Sequence, residues 1–329
     1  LMRSGDKDGA ASALRRADQL LAQAESLDPH WIEPIVLRGW LAWQMGILLS
    51  ETPGESDAAR VREGLVHAER AANIDPKNAK VLELRGTLNY NLFRQLSDSA
   101  TQPGLLESAR EDLQAAVAVD ASLASAWSSL SKLLHWQGEF AEAKRAAVRA
   151  YEADEFLEDA QAILFRLANI SLELEDSQDA VKWAAEGRRR FPDVVDFPAV
   201  ELGALTSHGP QPDVEKAWGL LKEIRSLMPP QRAEYFVPLA TVQVAAVLAR
   251  AGLRDSARAV IAQARTGASA AVIAFLAYDE AHAWVLLGER DRALEALTLH
   301  LENEPQDKAY IAEDPWFREL SDDPRFKAL

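Results

Sequence analysis

The chain of 329 residues contains no cysteine. Disulfides, thiolate metal sites and a cysteine nucleophile are therefore excluded. No apolar stretch is long enough to span a bilayer, so membrane insertion is not expected. Runs of Val, Ile and Thr of the kind that build strands are missing as well, while Ala, Leu, Glu and Arg dominate. Positive charge is in deficit, with 36 Lys and Arg against 51 Asp and Glu and a net charge of -15. A phosphate backbone needs a basic face, so nucleic acid is not an expected partner; a basic or neutral protein suits better.

Catalytic signatures are absent too. There is no G-x-S-x-G, no phosphate-binding G-x-x-x-x-G-K-[ST], no G-x-G-x-x-G, and no kinase-like lysine or H-R-D motif. The six histidines (His30, His67, His135, His208, His282, His300) are scattered without H-E-x-x-H. Glu280 and His282 lie two residues apart and do not share a helix face. The many acidic residues read as solvated faces. The expectation is a chain that is not an enzyme and carries no cofactor or metal.

What the chain does contain is a recurring pattern. Within Ala124–Asp154, Trp127, Leu130, Leu134, Gly138, Phe140, Ala143, Ala147 and Ala150 fall at helical spacing. Asp-Pro or a variant closes successive apolar stretches at Asp28-Pro29, Asp75-Pro76, Val119-Asp120, Ala153-Asp154, Phe191-Pro192, Met228-Pro229 and Glu304-Pro305. Proline there ends a helix because it has no N–H to donate and biases its predecessor out of the helical region. Pro76 follows Pro29 by 47 residues, Asp154 follows Asp120 by 34, and Pro229 follows Pro192 by 37. Leu37-Arg38-Gly39-Trp40 returns as Leu84-Arg85-Gly86-Thr87, and Gly252, Arg254 and Ala257 return as Gly288, Arg290 and Ala293.

This pattern resembles the tetratricopeptide repeat, a helix pair of about 34 residues that buries its apolar face only by stacking on neighbours. The resemblance implies an all-α fold: a right-handed superhelical solenoid of antiparallel helix pairs with capping helices at both ends. The whole chain, 1–329, reads as one such array. A partial unit occupies 8–28, and full units occupy 31–75, 78–120, 122–154, 158–191, 195–228, 231–266 and 270–304, with a cap over 305–329. Turn-rich 50–56 and 97–104 read as insertions in the two long early units. The four prolines of Pro192–Val214 mark the weakest unit. In the tail, Pro315, Trp316, Phe317, Leu320, Pro324, Phe326 and Leu329 are expected to cover the last apolar face. That tail also resembles the end of repeat regions in bacterial signalling proteins such as serine/threonine protein kinases.

In the resembled family the first helix of each unit lines the concave groove. Aligning Gly39, Gly86 and Ser131 at the small crossing position yields a stripe of Trp40, Trp43 and Gln44, then Thr87, Tyr90, Asn91 and Arg94, then Lys132, His135 and Trp136. Rings supply contact area, and amides and cations fix backbone or carboxylate groups, a combination suited to a peptide. Core packing is the competing reading for Trp40 and Trp43, and His135 also reads as a partly exposed helix residue. Trp127, Trp183, Trp218 and Trp284 are assigned to packing. The family's two-carboxylate clamp for chaperone tails is not matched, because Val36, Trp40, Leu84, Ser125 and Ser129 stand at its positions. The implied function is a scaffold binding a protein or peptide. The alternatives are a domain restraining an upstream kinase or DNA-binding domain of the same polypeptide, and a small-molecule sensor; homo-oligomerisation through an end helix is a further option. The chain opens on Leu1 and reads as a piece of a longer bacterial protein, cytoplasmic by default, with an extracytoplasmic location left open.

Overall fold

The computed structural model describes residues 6–50, 58–95, 103–154, 156, 159–207 and 211–329. The two expected insertions, 50–56 and 97–104, fall almost wholly outside these. Among the described residues the structure is helical without strands, and no helix is long and apolar enough to cross a membrane. The chain divides into two compact units, 1–163 and 164–329.

Unit 1 holds α1 (Lys7–Leu27), then the pairs α2 (Ile32–Leu49) with α3 (Ala58–Ile74), α4 (Ala79–Gln95) with α5 (Pro103–Val119), and α6 (Ala124–Trp136) with α7 (Phe140–Ala153). The division falls inside α8 (Ala160–Glu173), which leads into α9 (Ser177–Arg190). Unit 2 continues with α10 (Asp196–Thr206) and α11 (Val214–Leu227), α12 (Pro230–Arg250) and α13 (Arg254–Arg265), and α14 (Ala270–Leu286) and α15 (Arg290–Asn303). A 3₁₀ turn at Pro305–Asp307, α16 (Lys308–Glu313), a second 3₁₀ segment at Pro315–Leu320 and α17 (Pro324–Ala328) close it.

The two helices of a pair are built differently. Second helices bury a narrow stripe of small residues, as in α7 with Ala143, Ala146, Ala147 and Ala150. First helices are buried on most sides; α4 hides Val81, Leu82, Leu84, Leu88, Leu92 and Phe93. A helix apolar nearly all round belongs inside the stack, and one with a single stripe belongs outside. Small residues let the partners approach closely. A Cβ on Gly39 would lie 2.6 Å from a Leu84 methyl and 3.2 Å from the Gly64 carbonyl oxygen, so α2 and α3 meet backbone to backbone. At the equivalent position of α6, the Ser131 hydroxyl donates to the Ala143 carbonyl at 2.9 Å.

Turns within pairs share one design. At Gly138, Gly252 and Gly288 the backbone takes φ of 77°, 75° and 71°. The flanking N–H groups return to the last turn of the helix, for example Gly252 to Ala249 and Leu253 to Leu248, both at 3.0 Å. This is the left-handed C-terminal cap that favours glycine. After α8 the same bonds form with Glu175 at φ 57°. Turns between pairs in unit 1 use aspartate instead. The side chains of Asp28, Asp75, Asp120 and Asp154 each accept from the N–H two residues on, at 2.9–3.1 Å.

Of the four prolines in the unit expected to be weakest, Pro198 is accommodated within a helix. Pro198 lies in the first turn of α10, where no helical N–H is needed, and is buried. Its neighbour Phe197 is fully buried against Gly187. Two tryptophans depart from the packing assignment. Trp218 is 39% exposed. Trp127 is half-buried, with its indole N–H donating to the Ala121 carbonyl at 3.0 Å. Trp183 and Trp284 are buried. In the tail, Phe317 and Leu320 are sealed into the core of unit 2 while Trp316, Phe326 and Leu329 pack partly against it.

Candidate functional site

The stripe residues lie on the first helices of unit 1: Trp40, Trp43 and Gln44 on α2, Thr87, Tyr90, Asn91 and Arg94 on α4, and Lys132, His135 and Trp136 on α6. Trp40 and Trp43 pack on each other, with ring centroids 5.5 Å apart, and both lean on the core formed by Ile35, Val61, Leu84 and Leu88. The Trp43 indole N–H is buried with no acceptor among the described residues. Gln44 is half-buried.

On α4 and α6 the residues meet. Tyr90 is buried, and its hydroxyl donates to the Lys132 carbonyl at 3.2 Å. The Arg94 guanidinium lies over the Tyr90 ring, 6.0 Å from its centroid; the side chain is exposed and forms no ion pair with any described residue. Asn91 donates to the Thr87 carbonyl of its own helix at 2.8 Å. The Lys132 ammonium pairs with Asp159 at 2.9 Å. His135 faces the Phe140 ring at 5.6 Å. Trp136 is 51% exposed and stands edge-on to Phe93 at 4.8 Å.

Further polar groups pair on this face, of which Thr87 was in the expected stripe while Glu83, Ser125, Ser128 and Ser129 were not. Glu83 accepts from the Ser125 hydroxyl, Thr87 donates to Ser129 at 3.0 Å, and Ser128 donates to Asp159 at 2.7 Å. The first two bonds and that of Tyr90 each join residues 42 apart. A regular offset between polar residues on two successive first helices is the signal that would have found them. Burial pushes the Glu83 carboxyl up, only partly opposed by the Ser125 hydrogen bond. The seam between α4 and α6 is thus a polar ladder whose groups satisfy one another. Beyond the ladder, Trp136 and Arg94 present an aromatic surface and a cation to solvent.

No family model matches the sequence, nor does any curated protein. Among solved structures, the chain is similar to a tetratricopeptide repeat protein from Parabacteroides merdae, at 14% identity over 90% of this chain and 97% of that one, with a TM-score of 0.52. It is also similar to the C-terminal part of a repeat-containing protein from Cytophaga hutchinsonii (11% identity, 88% and 98% covered, TM-score 0.49). A third is a thermophilic repeat protein from Thermus thermophilus (20% identity, 62% and 96% covered, TM-score 0.45). With the helix pairs described above, the first of these likenesses shows the fold to be that of tetratricopeptide repeat proteins.

Proposed function

We propose that the chain is a non-enzymatic scaffold that holds a segment of another protein on the first-helix face of unit 1. The observation that carries this reading is the exposed pair at the end of the polar ladder. Trp136 leaves half its surface open beside Phe93, and Arg94, the next residue on α4, has an aromatic neighbour but no carboxylate among the described residues. Aromatic and arginine side chains of this kind dominate recognition surfaces, where a ring provides area and a guanidinium fixes a carboxylate or a carbonyl. The ladder residues keep the helices in register beneath them and serve as support.

The test is selection of displayed random peptides on the full chain, followed by fluorescence polarisation. Trp136→Ala and Arg94→Ala are each expected to weaken selected peptides by about tenfold, with helical content unchanged by circular dichroism. If no selected peptide is weakened by either substitution, this placement of the site fails.

A further inference from the structure

Buried carboxylates in unit 2 are generally matched with cations. Glu201 takes Arg188 at 2.5 Å and Lys216 at 2.6 Å, and Glu280 takes Arg265 at 2.6 Å. Half-buried Asp279 and buried Asp314 depart from that rule. Asp279, on α14, accepts from the Gln243 amide at 3.3 Å. Asp314, buried ahead of the second 3₁₀ segment, accepts from the Tyr278 hydroxyl and from the Trp316 N–H at 2.8 Å. No lysine or arginine among the described residues lies in ion-pair range of either. His300, whose charge would favour an ionised Asp279, faces Asp307 at 2.9 Å. Burial, with a smaller push from Asp314, raises the Asp279 carboxyl to about 6. The same two causes push Glu173 up. A carboxylate withdrawn from water without a cation is a standing cost to the fold.

Open aromatic surface flanks these acids. Phe275 lies one turn before Asp279 on α14 and is 40% exposed, with the rings of Tyr235 and Phe236 edge-on to it at 5.6 and 5.5 Å. Tyr310, 56% exposed, lies 6.2 Å from Tyr278. Among the described residues no three acidic or histidine side chains are placed to share a metal ion. The missing charge therefore points to an organic cation, and ring faces with carboxylates behind them suit one carried on an apolar stem.

We propose that this face of unit 2 docks a protein segment presenting a lysine or arginine side chain, neutralised by Asp279 and Asp314 and flanked by Phe275 and Tyr310. The inference rests on the scaffold reading, but it uses the other unit and the opposite charge. Charge complementarity identifies the occupant: the cation supplies the charge that the neutral donors Gln243, Tyr278 and Trp316 do not, and the rings cover its methylenes.

Random displayed peptides selected on the full chain test it, with Asp279→Asn, Phe275→Ala and the exposed-acid control Asp255→Asn measured side by side. Asn keeps the shape of Asp279 and its contact with Gln243. The expected binders carry a lysine or arginine whose replacement by norleucine weakens them about tenfold. Asp279→Asn and Phe275→Ala weaken them similarly, and Asp255→Asn leaves them unchanged. If no peptide carrying a lysine or arginine is selected, or if such peptides lose equally with Asp255→Asn, the inference is overturned. If every selected peptide is lost with Trp136→Ala and none responds to Asp279→Asn, it is overturned too, while the unit 1 site stands; failure to enrich any peptide would overturn both.

Discussion

At the scale of single residues, the left-handed turn after α8 separates backbone cost from side-chain contact. Glycine fills this position in three other turns of the same design, but here Glu175 holds φ 57°. A residue with a Cβ incurs roughly 1 kcal/mol in this region. The compensating contact is an ion pair with Arg318 at 3.3 Å, both side chains being largely exposed, and such pairs contribute little. Glu175→Gly is therefore expected to stabilise unit 2 by about 1 kcal/mol, seen as a higher urea midpoint at unchanged slope. A lower midpoint would show that the Arg318 contact outweighs the backbone term.

At the scale of elements, the turns between helix pairs show what was legible and what was not. The sequence pattern pointed to a fold of helix pairs because its information is local: apolar spacing, a small residue at the crossing, a turn former at the end. It credited the turns to proline. Yet Asp120 and Asp154 have no proline after them and still accept from Ser122 and Phe156 as Asp28 and Asp75 do from their own followers. The aspartate side chain is the shared agent, closing the chain reversal by a hydrogen bond two residues on. Asp75→Ala is expected to cost about 1 kcal/mol, and Pro76→Ala distinctly less, in paired denaturant titrations; equal losses would return the credit to proline. The candidate site was less legible for a related reason. The partners of Thr87 and Tyr90 lie 42 residues away, and whether a hydroxyl is satisfied or open depends on that distant neighbour. Trp218 and Trp127 failed the packing assignment likewise, since helical spacing places a ring on a face without saying what covers it.

At the scale of the whole molecule, each unit carries its own buried core. Leu84 and Leu88 anchor one among α2 to α5, while Leu220, Val244, Leu276 and Leu297 belong to another within unit 2. In stacked repeats, stability is approximately a sum of local interfaces, so damage stays near its origin. Leu84 is fully buried at the crossing of α2 and α4, with its methyls against Gly39. Leu84→Ala removes those contacts and leaves a cavity costing about 2–5 kcal/mol. Amide hydrogen exchange read residue by residue is expected to show protection falling by that amount in α2 to α5, with α12 to α15 unchanged. Local opening energies then follow the repeat boundaries, as they do wherever cooperative units coincide with supersecondary motifs. A uniform fall across both units would instead mean that the chain unfolds as one cooperative body, and substitutions in the unit 1 stripe would have to be read against the stability of the entire protein.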